Sequence, residues 1–319
     1  MSKIKKGEVL NHFLMIKRLE VKTARNNKPY LNMELGDTSC SLISNMWENF
    51  ETFLSSASPG KIAKVNGFMD EYQGQNQIRI TSIRCAEESD NISPREFMPH
   101  SKRELSVMQT EFRNRVDKIQ NEYLKKLIIA VFQQGAFEKY SIAPAGKTWH
   151  HSYLSGLLEH TLEMVRICDL MSDIHPEVNR DLLISGVIMH DFGKIEELTF
   201  EAGFDYSDKG KLIGHIVISA MIIEEKAKQI ENFPELLKNQ LIHLVLSHQG
   251  KLEFASPVTP KTLESIILYQ ADELSAKTNA YKMAIQAESG GNSKWTKFLP
   301  LIASSLYIPE DFEIIQNNE

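Results

Sequence analysis

Residues 181–194 read Asp-Leu-Leu-Ile-Ser-Gly-Val-Ile-Met-His-Asp-Phe-Gly-Lys. As far as Met189 the segment is apolar nearly all round, the pattern of a helix buried on every side rather than one with a wet face. It ends in His190-Asp191, and Gly193 is placed to supply a left-handed helix cap. An imidazole and a carboxylate at the end of a buried helix need a partner, because an unpaired buried charge is costly. A divalent cation is one such partner. Taken alone, the dipeptide reads more simply as a hydrogen-bonded His–Asp pair closing a helix.

On both sides of this segment the helical period continues. Apolar stretches at 124–133, 154–171, 181–190, 212–230, 236–248 and 261–287 are separated by turns containing Gly, Pro or Asp. From about Leu124 the chain is therefore expected to be all-α. Four more polar residues stand where such helices should be apolar or should stop. His160 lies beside the stripe Leu154, Leu157, Leu158, Thr161, Val165, Cys168, and Asp272 ends the apolar run from Ile266. His215 follows Gly214 at the start of an apolar helix, and His248 sits just before Gly250. Singly, each reads as a surface histidine or a cap. Together with His190 and Asp191 they offer imidazole and carboxylate from five helices, the ligand set of a one- or two-metal hydrolytic centre.

The first 85 residues follow a different period. Residues 8–23 are rich in β-formers, and 25–29 form a turn cluster. Strands follow at 30–35 and 39–44, then a helix at 45–55, then strands at 61–69 and 77–84 around a polar hairpin. Three strands, a helix and two strands is the order of an OB-like five-stranded barrel, a fold that binds oligonucleotides on one face. The alternative is a small barrel used for dimerisation. Net charge is −6 overall, yet residues 1–85 carry twelve Lys/Arg against eight acids and the remainder is −10. A basic head on an acidic body permits a polyanion to be held by the head. The candidate contacts are Phe13, Tyr30, Phe68 and Tyr72 for base stacking, with Lys17, Arg18, Lys28, Lys64 and Arg79 along the backbone. Trp47 is expected in the core.

The expected organisation is a two-domain chain, β then all-α. An OB-like domain spans 1–88, a polar linker and connecting helix 89–123, and a helical domain 124–319. Cys40, Cys85 and Cys168 are too scattered for a zinc motif and read as reduced thiols. No signal-like or membrane-length apolar run is present, so a cytoplasmic protein without membrane attachment is expected.

The order His160, His190-Asp191, Asp272 resembles the H…HD…D signature of the HD phosphohydrolase superfamily, with His215 and His248 matching the extra ligands of its two-metal members. Residues 149–160, 185–198, 210–218 and 244–260, together with the OB-like head, resemble the bacterial YhaM-type 3′-to-5′ exoribonucleases, over nearly the whole chain. One departure is His248-Gln249, where the family pattern has paired histidines; glutamine is a poor metal ligand.

The resemblance implies manganese as the cofactor, one or two ions. Imidazole–carboxylate ligation also suits iron or Mg²⁺. It further implies single-stranded RNA as substrate, with single-stranded DNA and homo-oligomerisation left open. Asp191 is the natural bridge between two ions, Lys194 could hold a phosphate, and His150 and His151 could contact phosphate or protonate the leaving 3′-oxygen. The alternative for these last three is a solvated lysine and a pair of partly exposed histidines. Two other functions remain open: an HD hydrolase of mononucleotides or cyclic nucleotides, and a non-catalytic single-strand binder with a relict HD domain. Substrate length separates the first, and Gln249 is the only support for the second.

Overall fold

The structure, a computed structural model, describes residues 4–310 except 73, 290 and 292; the side chains of Tyr72, Pro94, Arg95 and Leu301 also lie outside the description. The chain forms two compact units. One runs to His100 and includes 199–205; the other comprises Ser101–Leu198 and continues from Tyr206.

The first unit is a closed five-stranded barrel of strand order β1-β2-β3-β5-β4. Its strands are β1 (Val9–Thr23), β2 (Pro29–Gly36), β3 (Ser41–Met46), β4 (Ile62–Tyr72) and β5 (Gln75–Cys85), with helix α1 (Glu51–Ser56) between β3 and β4. The first half of β1 pairs with β4 and the second with β2, the register shifting between Ile16 and Arg18. Such an irregularity bends a long strand, which lets one strand serve two neighbours and close the barrel. Leu10, Leu14, Ile16, Leu31, Met33, Leu35, Val65 and Ile78 fill the interior, and Phe50 and Phe53 at α1 join the same core. The OB-like expectation is met.

Three local expectations are not. The helix expected at 45–55 begins only at Glu51. Asn45 and Met46 instead pair with Asn32 and Leu31 in the sheet, and Asn49 turns the chain with a φ of 56°. Met46, Phe50, Phe53 and Leu54 do fall near helical spacing, but they span the end of a strand and the start of a helix that share one core. Trp47 is 56% exposed and stacks on Tyr30 with ring centroids 4.4 Å apart, so it is a surface residue. Residues 30–35, whose apolar and polar types alternate as in a half-buried strand, break that pattern at Asn32, which is buried and donates its amide to Asn45 Oδ1 at 2.7 Å.

The second unit is helical: α2 (Leu105–Asp117), α3 (Glu122–Val131), α4 (Ala136–Ile142), α5 (Gly156–Ile174), α6 (Arg180–Met189), α7 (Lys194–Glu197), α8 (Asp208–Ile213), α9 (His215–Lys228), α10 (Glu235–Ser247) and α11 (Leu263–Glu288). Within the apolar stretch 212–230 the helix breaks at Gly214, as the turn before His215 led one to expect; its φ of 78° few other residues tolerate. The break makes His215 the first residue of α9. A two-stranded pair, β6 (Leu198–Thr199) with β7 (Asp205–Tyr206), was not expected. Among the described residues no helix is long and apolar enough to cross a membrane.

Helix α6 is the axis of this unit. Every residue from Leu182 to Met189 is buried, and α3, α5, α10 and α11 pack around it. Its start is tied to the start of α3: Asp181 Oδ2 accepts the backbone N–H groups of Gln120 at 2.8 Å and Asn121 at 2.7 Å. Those amides have no partner within α3. Asp181→Ala should therefore cost about 1–2 kcal/mol, as loss of a helix-terminal acceptor does. Urea unfolding followed by helical circular dichroism checks this; an unmoved midpoint would show that water replaces the carboxylate without penalty.

Candidate metal centre

Packing carries the ends of several helices to one place. α5 contributes His160 from its second turn; α6 delivers His190 as its C-cap, followed by Asp191; α9 starts with His215; α10 is capped by His248; α11 brings Asp272. His160, His190 and His248 are fully buried, and Asp191 and Asp272 nearly so. Gly193 does not form the expected left-handed cap; its φ is −58°. Glycine is needed there because a Cβ would lie 2.3 Å from the carbonyl oxygen of His215. The Gly193 N–H also donates to Ser219 Oγ at 2.8 Å, fixing the loop after Asp191 to α9.

The hydrogen bonds determine which nitrogen of each ring faces the centre. His190 Nδ1 lies 2.7 Å from the carbonyl of Val187, and His248 Nδ1 2.7 Å from that of Val245. Carbonyls only accept, so both Nδ1 atoms carry the proton. His215 Nδ1 donates to Glu197 Oε1 at 2.9 Å, and the same oxygen accepts the His215 backbone N–H. Ser275 spends its hydroxyl proton on Glu163 Oε2 at 2.7 Å, so it must accept from His160 Nδ1 at 2.9 Å. In their neutral, cation-binding forms all four rings thus present an unprotonated Nε2 inward.

Those Nε2 atoms meet two carboxylates. His160 Nε2 is 3.1 Å from Asp272 Oδ1, and His190 Nε2 is 3.2 Å from Asp191 Oδ2. On the other side of the same carboxylate, Asp191 Oδ1 is 3.2 Å from His215 Nε2 and 3.6 Å from His248 Nε2. Despite these distances, His160 Nε2, His190 Nε2, His215 Nε2 and Asp191 Oδ1 make no hydrogen bond. Orphaned buried lone pairs are rare and expensive. The groups His160–His190–Asp272 and His190–Asp191–His248 each bring their ligand atoms within 4.8 Å of one another. Imidazole and carboxylate donors with unmet lone pairs fit a divalent cation, and Asp191, facing both sets, fits the bridging position.

Charge in the centre is strongly coupled. Burial would raise the Asp191 pKa, but His190 and Lys194 outweigh it and hold the carboxyl well below its ordinary value. Lys194 Nζ is 2.5 Å from Asp191 Oδ2 and nearly buried, so it is not a solvated lysine. Burial opposes the charge on His215 too, yet the neighbouring Asp191 and Glu197 carboxylates raise its pKa to about 9. His248, dominated by burial and then by the charge of His190, falls to about 4.

His150 and His151 stand beside the first ligand, their ring centroids 4.9 and 5.2 Å from that of His160. His151 is buried, not partly exposed. It holds a φ of 45° while its N–H donates to Asn279 Oδ1 at 2.7 Å, and its Nε2 is 3.3 Å from Glu163 Oε2. Burial, then repulsion from His160, keeps the His150 pKa well below its ordinary value. Glu163, Glu197 and Ser275 escaped the sequence reading. Each lies three residues beyond His160, Lys194 or Asp272, one helical turn away, and that spacing was the available signal.

On the barrel the candidate contacts separate into two sets. Phe13 and Lys64 are cross-strand partners on β1 and β4, with Lys64 Nζ 5.3 Å from the ring centroid. Phe68 and Arg79 pair likewise on β4 and β5, at 5.5 Å. Tyr30 belongs to a different surface, beside Trp47 at the ends of β2 and β3. Arg18 and Lys28 are exposed, whereas Lys17 is half-buried and donates to Ser41 Oγ at 2.7 Å. The Tyr72 side chain lies outside the described residues.

Residues 157–277 match the HD domain family, a span that contains all six candidate ligands. The chain is 32% identical over 315 residues to the 3′-5′ exoribonuclease YhaM of Oceanobacillus iheyensis, covering 96% of each chain. It is 34% identical to the protein of that name in Listeria monocytogenes, covering 86% of this chain and 87% of the relative. With the Bacillus subtilis protein the identity is 31%, over 89% and 90% of the two chains.

The geometry makes Asp191 the residue on which cation binding depends. Asp191→Ala would leave the Lys194 ammonium buried without a partner, a change that destabilises by about 3–5 kcal/mol. Asp191→Asn is the cleaner variant. It should lower Mn²⁺ affinity at least about tenfold, judging by the loss seen when even outer-shell partners are removed, with the circular dichroism unchanged. Undiminished binding by calorimetric titration would show that the centre is not where the ion sits.

Proposed function

The chain belongs to the YhaM family of 3′-5′ exoribonucleases, and from that premise we propose that it degrades single-stranded RNA from the 3′ end, releasing 5′-mononucleotides. The observation that carries this reading is the convergence of four bare Nε2 atoms and two carboxylates from five helices on one buried centre. One or two divalent ions held there, with manganese the first choice, would supply Lewis-acid polarisation of a phosphodiester and acidification of water.

The protein groups have separable tasks. Asp191 directs one oxygen to His190 and Lys194 and the other to His215 and His248, which suits it to span two ligand sets. Lys194 keeps its charge beside Asp191 and offsets the negative charge of an arriving phosphate. His150, held neutral, is better suited to donate one N–H to a phosphate oxygen than to act as a reservoir of protons. His151, anchored by Asn279 and Glu163, keeps His150 in place through the 3.3 Å approach of their Nδ1 atoms. Water attack on the last phosphodiester, with the 3′-oxygen leaving, puts the phosphate on the 5′ side of the released nucleotide.

The barrel would hold the rest of the strand. Its paired aromatics and cations, Phe13 with Lys64 and Phe68 with Arg79, offer stacking faces beside positive charge. The stacked pair Tyr30–Trp47 offers another. A centre buried among helix ends admits a strand end more readily than the middle of a chain, which favours end-dependent cleavage.

Two experiments test this reading. A circular RNA should resist the enzyme in Mn²⁺ while its linearised form is consumed to 5′-monophosphates; rapid cutting of the circle, or 3′-monophosphate products, would contradict both direction and chemistry. The double variant Phe13→Ala/Phe68→Ala should bind a single-stranded oligonucleotide at least about thirtyfold more weakly, at about 1–3 kcal/mol for each of the two lost stacking contacts. Its turnover of a small phosphodiester should stay as in the parent. Unchanged oligonucleotide affinity would remove this face from substrate binding.

A further inference from the structure

Asp191 faces His190 with one carboxylate oxygen and His215 and His248 with the other, and the two sides of the centre differ in one contact. On the side of His160, His190 and Asp272 no amide or hydroxyl reaches an inward Nε2 atom; those of His160 and His190 have no hydrogen-bond partner. On the side of His215 and His248, the side-chain Nε2 of Gln249 lies 3.1 Å from the Nε2 of His248. His248 Nδ1 already carries the ring proton, given to the Val245 carbonyl. Its Nε2 therefore has only a lone pair to offer, and the Gln249 amide must be donating to it. That lone pair is the one a cation on this side would need.

We propose that Gln249 is a self-competitor that caps the His248 ligand nitrogen, so that the chain holds one cation tightly between His160, His190, Asp191 and Asp272 and a second only weakly between Asp191, His215 and His248. This rests on the reading of the centre as a cation site, and is independent of whether RNA is the substrate. To admit the second ion the amide must leave His248. Gln249 is half-buried, unlike the buried His248 beside it, so its side chain has solvent to swing toward. The first ion meets no such barrier. Gln249 thereby tunes occupancy: at low cation concentration one site fills, and the second fills only as the concentration rises.

The amide has two ends, and they predict opposite outcomes. If the nitrogen caps His248, removing the side chain frees a ligand. If the oxygen turned inward to bind the ion, removal would delete one. The test is a Mn²⁺ titration of the whole chain, with the free ion counted by electron paramagnetic resonance, for the parent, Gln249→Ala and Gln249→His. Unequal affinities in the parent would not suffice, because two neighbouring cations repel each other in any such site. The deciding comparison is between proteins.

Gln249→Ala should tighten the weaker site about fivefold, the ratio set by one net hydrogen bond, and leave the tighter site unchanged as an internal check on folding. Gln249→His, which replaces the cap with a ligand, should tighten it further. A weaker or unchanged second site in Gln249→Ala, with the first intact, overturns the proposal. Absence of the first ion from the parent would instead refute the cation reading of the centre. Loss of RNA degradation alone would touch neither.

Discussion

A carboxylate that cannot reach water sets the terms for the helical unit. Asp191 is 2% exposed at the end of a helix that is itself enclosed. Left alone, an ionised carboxylate there would be pushed toward its neutral form. Instead, four imidazoles and the Lys194 ammonium are arranged around the centre, and the carboxyl stays ionised far below its usual pKa. That arrangement requires the ends of α6 and α10, the starts of α9 and α5 and the middle of α11 to meet at one point. The rest of the packing follows from this requirement. α6 is apolar all round because its neighbours must surround it to bring their ligands within reach.

Orientation is set one shell further out. Each ring is held by its Nδ1: two by backbone carbonyls one turn earlier in the same helix, one by Glu197, one by a serine that passes its own proton to Glu163. A histidine free to flip would lose part of its affinity to the entropy of choosing a tautomer and a rotamer. Here those choices are made by folding, so a cation meets ligands already aimed. The short α7 helix exists in this context: its residue Glu197 reaches back to hold both the backbone and the ring of His215.

The chain shows which parts of such a site can be read in one dimension. His160, His190, Asp191, His215, His248 and Asp272 stood out because each interrupts an apolar helix or ends one, where a polar group needs a reason. The supporting residues did not stand out. Glu163, Glu197 and Ser275 are ordinary on a helix surface and acquire a role only from what lies opposite. Gly193 was noticed for the wrong property: conformational freedom was expected, and lack of bulk was needed, because the partner is a carbonyl 22 residues downstream at His215. In the barrel the succession of strands and helix along the chain was legible from turns and periodicity. The assignment of Asn45 and Met46 to a helix failed because sheet pairing with β2 claimed their backbone, and pairing is a property of two segments at once.

Hydrophobic period and the placement of polar residues therefore determined by themselves the β-then-α organisation, the succession of strands and helix along the barrel and the six polar residues that interrupt or end the apolar helices, because burial is written into residue type at each position. Only the tertiary structure decided that Trp47 faces outward against Tyr30, that His151 is enclosed, which nitrogen each histidine points inward, and that the Gln249 amide rests on His248. Those outcomes turn on contacts between segments distant in sequence or on the direction of one bond, and hydropathy carries neither distance nor direction.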